Sequence, residues 1–172
     1  MKFLLSFAAL LGLAACMGSG GVDTTSSNNS FVVPTPAEVQ SDPVHMSANN
    51  TFAPMLNGVR SDAGAGAVSY DARLGAAAQG HANDMLANDF FSHIGSDGST
   101  LGERVSAQGY SFSAVGENIA KGQQSESAVL DDWQDSADHR ENNETPRFEH
   151  FGLARAGSGN DLYWVLVLAD PL

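Results

Sequence analysis

The sequence predicts an α+β domain, and three observations carry that prediction. Residues 51–63, 71–86, 100–108 and 125–140 place apolar side chains three and four apart, the spacing of one helix face. Two later runs, 148–156 and 162–169, are dense in apolar, β-branched and aromatic residues. Between them Gly157-Ser158-Gly159-Asn160-Asp161 has the composition of a turn, so the pair reads as an antiparallel hairpin. Helices first and a hairpin last argue against the strict strand–helix alternation of a parallel βαβ fold.

In the first helical stretch Phe52, Met55, Leu56 and Val59 share a face, and residues 64–66 end it with two glycines. Asp71 suits an N-cap for the clearest helix, whose apolar stripe runs through Leu74, Ala77, Ala78, Met85 and Leu86. His81 falls on that stripe, which favours a hydrogen-bonded core histidine over a ligand. Residues 89–99 break the pattern with Gly95, Asp97 and Gly98 and read as a loop. Thr100 and Glu103 have the spacing of a capping box. Gly116-Glu117-Asn118-Ile119-Ala120 reads as a turn opening on glycine. Ser125 or Ser127 caps the last helix, on which Trp133, Ser136 and His139 with Arg140 recur on one inner face, leaving Asp131 and Asp132 to solvent.

The 172 residues divide by composition into three parts. Residues 1–15 have a basic start at Lys2, an apolar run over 3–13, and Leu13-Ala14-Ala15 before Cys16, the pattern of a lipoprotein signal peptide. That run is too short to span a bilayer, which takes about 20 apolar residues. Cys16 is the chain's single cysteine. Its place after a small-residue site resembles a lipobox, in which the cysteine is lipidated and anchors the protein to a membrane. Met17 rather than aspartate follows it, which in a diderm host points to the outer membrane. Residues 16–48, rich in Gly, Ser, Thr, Asn and Pro, read as the lipidated cysteine and a flexible tether. Residues 49–172 form the folded domain, large enough for one core without disulfides. With 8 basic and 20 acidic residues the net charge is −12, a field that repels nucleic acid, and no basic stripe interrupts it.

The most pointed chemistry is Glu117, with His93 on one side of it in sequence and His139 on the other. Imidazoles and a carboxylate suit zinc, and a metal-bound water would make hydrolysis a reaction to consider. There is no H-E-x-x-H helix and no G-x-S-x-G elbow. Ser92 and Ser136 lie near the histidines, so a Ser/His/Glu arrangement stays open. So does a structural role, in which Glu117 takes backbone hydrogen bonds and His139-Arg140 ties the helix to the hairpin. His45 falls in the tether and His150 begins a strand, at an exposed or edge position. Arg60, Arg104 and Arg147 read as balancing an acidic surface, and Arg140 as an ion-pairing or carbonyl-capping residue.

Taken together and in order, Leu56-Asn57-x-x-Arg60, Leu74-x-x-Ala77-Ala78-x-x-His81-Ala82-x-Asp84-Met85, Phe91-Ser92-His93, Asp97-Gly98-Ser99, Gly109-Tyr110, Gly116-Glu117-Asn118-Ile119-Ala120, Trp133-x-x-Ser136-x-x-His139-Arg140-x-Asn142 and Tyr163-Trp164 resemble a bacterial, SCP-like lipoprotein of the CAP superfamily, which takes in cysteine-rich secretory proteins, antigen 5 and pathogenesis-related proteins. The likeness covers about residues 51–170. It implies an α-β-α sandwich, with a small antiparallel sheet between helical layers, and a cleft lined by two histidines and two acids. Carried onto this chain, the histidines are His93 and His139 and one acid is Glu117. At the fourth position Ser136 stands where animal members place glutamate, with Asp135 beside it. Asn143 stands where bacterial members commonly carry isoleucine, a departure expected to loosen that segment, and the disulfides of eukaryotic relatives have no counterpart.

The resemblance implies first a ligand-binding or envelope-interaction module, with a divalent metal such as zinc, a lipid or sterol, or an envelope protein as partner. A metal-dependent hydrolase using the same residues comes second. A structural envelope protein with no working cleft is the third reading.

Overall fold

A computed structural model of the chain describes residues 48–172, so the signal peptide, Cys16, His45 and nearly all of the tether lie outside the described residues. A π-helical turn, Ala48–Phe52, leads into helix α1 (Ala53–Asp62), with proline in its first turn, where the missing N–H costs nothing. After the two-residue strand β1 (Ser69–Tyr70) comes α2 (Ala72–Asn88), capped by the Asp71 carboxylate, which accepts from the Arg73 N–H. Helix α3 (Leu101–Ala107) starts with the full Thr100/Glu103 capping box. Strand β2 (Phe112–Lys121) precedes α4 (Glu126–Asp135), capped by Ser125, and α5 (Ala137–Glu144). Strands β3 (His150–Ala156) and β4 (Tyr163–Pro171) form the antiparallel hairpin that their composition predicts.

The sheet order is β1-β3-β4-β2. All pairings are antiparallel except the short β1 beside β3, so the sheet is mixed where a purely antiparallel one was expected. Strand β4 explains the layering. Its side chains alternate between two apolar clusters, Trp164, Leu166 and Leu168 in one and Tyr163, Val165, Val167 and Ala169 in the other. A strand that is apolar on both faces has to be covered on both. The first cluster takes in Phe52, Leu56, Val129 and Trp133 from the π turn, α1 and α4. The second takes in Leu74, Ala78, Met85 and Val105 from α2 and α3. The α-β-α sandwich follows from that division. Strand β3 lies so close to α2 that a Cβ on Gly152 would sit 2.2 Å from the Leu74 and Gly75 backbone.

Several expectations are corrected here. Residues 116–120 are the middle of β2 and not a turn. The glycine signals close approach instead, because a Cβ on Gly116 would meet Asn142 Oδ1 at 2.9 Å and the Phe148 ring at 3.1 Å. The last helix is two helices. Ser136 is extended (φ −93°, ψ 124°), so it ends α4 and opens α5, and it does not continue one face from Trp133 to His139. Asp131 and Asp132 do face solvent.

Arg60 does not balance the surface. It is fully buried, donating to the carbonyls of Gly66 (2.7 Å), Asn143 (2.6 Å), Thr145 (3.1 Å) and Phe148 (3.0 Å), which ties α1 to the end of α5 and the segment after it. Asn143 is not a loosening residue either. Also fully buried, it accepts from Asn118 Nδ2 and donates to Gln134 Oε1, closing a polar network between β2, α4 and α5. Arg140 caps the Gln134 carbonyl at 2.7 Å, and Arg147 pairs with Asp170 at the surface. His150 begins β3 half-buried, within 2.7 Å of the Tyr110 hydroxyl.

Candidate functional site

Strand β2 is an edge of the sheet, and alternation along it sends consecutive side chains to opposite layers. Glu117 sits opposite Val167, on the face covered by α2 and α3; Asn118 sits opposite Leu166, on the face covered by α1 and α4. The Glu-Asn pair therefore meets one partner from each side of the sheet.

On the first side, the loop between α2 and α3 brings His93 to the carboxylate, with Nδ1 2.8 Å from Glu117 Oε1. A carboxylate only accepts, so Nδ1 carries the proton and the neutral ring keeps its lone pair on Nε2. The Glu117 side chain is 3% exposed while that of His93 is 54% exposed, so a buried acid backs an imidazole that faces solvent. The other carboxylate oxygen accepts from Arg104 Nη2 at 2.7 Å. The same guanidinium, through Nη1, donates to the His93 carbonyl (3.1 Å) and the Ser99 carbonyl (3.0 Å), which holds the loop in place. His81 is buried in α2, and its Nε2–H donates to the Ser92 carbonyl at 2.8 Å, pinning the same loop one residue before His93. Burial lowers its pKa and keeps it neutral.

On the second side, Asn118 Nδ2 donates to the His139 carbonyl at 2.9 Å. Its Oδ1 accepts from Asn142 Nδ2 at 2.8 Å, which fixes the first turns of α5 against β2. His139 is half-buried. Its pKa is lowered, first by burial. Ser136, at the break, is half-buried, and Asp135, at the end of α4, is exposed. Among the described residues no hydrogen bond joins either side chain to His93, Glu117 or His139, and no three His, Cys, Asp or Glu side chains are grouped to hold a metal ion.

Arg104 is the member that sequence reasoning missed. A signal existed: it is the only Lys or Arg between Arg73 and Lys121, and it lies between His93 and Glu117 in the chain. What hid it was a rule of averages, that an arginine on a short polar helix is solvated.

A family model described as "CAP: Cysteine-rich secretory protein family" matches residues 54–168. Among curated proteins, the uncharacterized protein YkwD of Bacillus subtilis is 30% identical over 62% of this chain and 41% of its own length. The uncharacterized membrane protein YlbC of the same organism is 28% identical over 58% of this chain and 29% of its own. The chain thus spans less than half the length of the curated relatives it matches. Among solved structures, an extracellular protein containing a SCP domain from Bacillus anthracis superposes with a TM-score of 0.67 at 25% identity, covering 80% of this chain and 44% of that one. An outer surface protein from Borrelia burgdorferi superposes at 0.64 with 19% identity over 70% of this chain and 90% of that one, a likeness of fold alone.

Proposed function

Because the chain belongs to the CAP family of cysteine-rich secretory proteins, we propose that it is an extracytoplasmic binding module, held at a membrane by lipid on Cys16, whose ligand site is the cleft around His93, Glu117 and His139. The observation that carries this reading is the buried carboxylate of Glu117 orienting the exposed imidazole of His93. An acid kept from water at one end of a ring fixes the tautomer and leaves Nε2 free to coordinate or to accept a hydrogen bond. Similarity to an extracellular SCP-domain protein supports placement outside the cytoplasm, in the cell envelope. Met17 after the lipidated cysteine favours the outer membrane in a diderm host.

The donor set bears on what the ligand is. A hydrolytic zinc centre takes three protein ligands and keeps a position for water. Here both oxygens of Glu117 are engaged, by His93 and by Arg104, and a guanidinium at 2.7 Å repels a second cation. The residues do not fit a three-ligand catalytic centre, which favours binding over metal-dependent hydrolysis. The cation reading that remains is a divalent ion held by the imidazoles of His93 and His139, with Glu117 in support behind His93. Calorimetry of the purified protein with zinc chloride tests this. The wild type binds zinc, and the doubly substituted protein, His93→Ala with His139→Ala, does not, while its circular dichroism is unchanged. Equal zinc binding in the folded double variant refutes the site.

An apolar ligand, lipid or sterol, is the second reading, favoured by Phe91 and Ile94, both about half exposed beside His93. Mass spectrometry of organic extracts then finds a lipid with the wild type that is absent after Phe91→Ser with Ile94→Ser. The same species at equal yield from both proteins removes this reading.

A further inference from the structure

The loop after α2 carries His93, and between Asp89 and Ile94 few hydrogen bonds tie it to the rest of the domain. Among the described residues they run from Phe90 N–H to the Met85 carbonyl, from His81 to the Ser92 carbonyl, from Arg104 to the His93 carbonyl, and between His93 and Glu117. We propose that His81 is a pH-sensitive latch on this loop: the neutral ring holds it closed, and a second proton on the ring opens it between Phe90 and Ile94.

The surroundings of the ring make the switch. His81 is 1% exposed, on the buried stripe of α2 with Ala77, Ala78, Ala82 and Met85. Its Nε2–H donates to the Ser92 carbonyl, so Nδ1 bears the lone pair of the neutral ring. That nitrogen is shut off from solvent and has no hydrogen-bond partner among the described residues. A proton added there makes a charged donor with no acceptor, which a protein interior strongly disfavours. On its inner side α2 is packed against β3 and β4, and those layers separate only on unfolding. The removable cover is the loop, in which the Phe90 ring stands edge-on to the imidazole at 6.2 Å and Ser92 closes over Nε2. Lifting it hydrates the ring.

The charged groups nearby do not supply the missing acceptor. Burial pushes the His81 pKa below the ordinary histidine value; Glu117 on β2 and Asp84 on α2 favour the proton and Arg104 on α3 opposes it. The Asp84 carboxylate is already engaged by Ser96 and Asn88, and that of Glu117 by His93 and Arg104. Once the loop lifts, the ring regains its ordinary value of about 6.5. Opening therefore becomes easier as pH falls, by up to about tenfold per unit below that value, until the closed form also binds the proton. The consequence, loss of a ligand held at His93 in acid, rests on the function proposed above; the opening itself does not.

The test is native-state amide exchange of the 15N-labelled full-length chain at pH 7, 6 and 5, with no ligand added and each rate corrected for the intrinsic effect of pH. Phe90 N–H and Ile94 N–H, both hydrogen-bonded, report on the loop, and the paired amides of β4 report on unfolding. Between pH 7 and 5 the protection of the two loop amides falls about tenfold. Low urea concentrations leave their rates unchanged while accelerating those of β4, which marks the opening as local. The fall accompanies the second proton on His81, seen in long-range proton–nitrogen spectra. His81→Gln keeps an N–H for the Ser92 carbonyl and takes up no proton, so its loop protection stays level. The proposal is overturned if the loop keeps its pH 7 protection once His81 is doubly protonated. It is also overturned if the loop opens only through the urea-dependent unfolding of β4, or if His81→Gln shows the same fall. The first two outcomes come from the wild type alone, so they stand even if the variant does not fold. Because no ligand is present, failure here leaves the reading of the His93 cleft untouched.

Discussion

Replacing Glu117 by glutamine keeps the shape of a buried side chain, removes its charge, and turns one of its two acceptors into a donor. In the wild type Oε1 takes the proton of His93 Nδ1 and Oε2 takes one from Arg104 Nη2, at 2.8 and 2.7 Å. A guanidinium can only donate, so in Glu117→Gln the single amide oxygen must face Arg104, and the amide NH₂ must face His93. His93 Nδ1 then has to accept, and its proton moves to Nε2. Arg104, with a side chain 11% exposed, keeps a neutral acceptor in place of a charged one, a loss of about 2 kcal/mol. Glu117→Ala, which leaves the guanidinium without its carboxylate partner, costs more, about 3–5 kcal/mol. Guanidinium chloride denaturation measures both losses, and long-range NMR reads the tautomer. Because Nε2 now carries hydrogen, zinc affinity falls at least tenfold in a protein that is still folded, roughly 1.4 kcal/mol or more. Persistence of Nδ1–H in folded Glu117→Gln, or unchanged zinc affinity, would refute the argument that this carboxylate sets the imidazole.

The remaining predictions concern what holds the site in place. Arg60→Met removes four hydrogen bonds to backbone carbonyls, two of them buried, and lowers stability by about 3–5 kcal/mol in denaturant titrations, with Arg60→Lys intermediate; a loss under about 1 kcal/mol contradicts its anchoring role. Asn143→Ile leaves Gln134 Oε1 without its partner and removes one of the two acceptors of Asn118 Nδ2, costing about 2–4 kcal/mol and speeding amide exchange in α5; equal or greater stability would mean that the polar network is dispensable. His81 and His139 both have folded pKa values below 6.5, so the unfolded chain binds protons more readily. Their contribution is complete above about pH 6.5 and is lost as pH falls from there through the folded values. Denaturation midpoints should therefore drop between pH 7.5 and 5, and less steeply in His81→Gln; identical slopes would reject the assignment.

Legibility differed by element for physical reasons. The Asp71 cap, the Thr100/Glu103 capping box and the hairpin between 150 and 171 depend on residues a few positions apart, so spacing alone disclosed them. The role of His81 followed from its place on a helical stripe, and that of Glu117 as the acid meeting His93 from the ordered motifs. Gly116 misled because glycine marks turns on average, and only the packed Asn142 and Phe148 show that it marks contact. Ser136 misled because a three-and-four pattern continues across a break that the backbone makes in a single residue.

Local composition thus settled the first three helices, the β3–β4 hairpin and that β4 is apolar on both faces, while it misread the Glu117 strand as a turn. Tertiary packing alone decided their partners. Arg60 reaches carbonyls more than 80 positions away and Arg104 reaches an acid 13 positions away. A charge can be left in a core only where the fold brings acceptors to it, and that proximity is a property of the assembled layers, with no trace in the neighbouring residues.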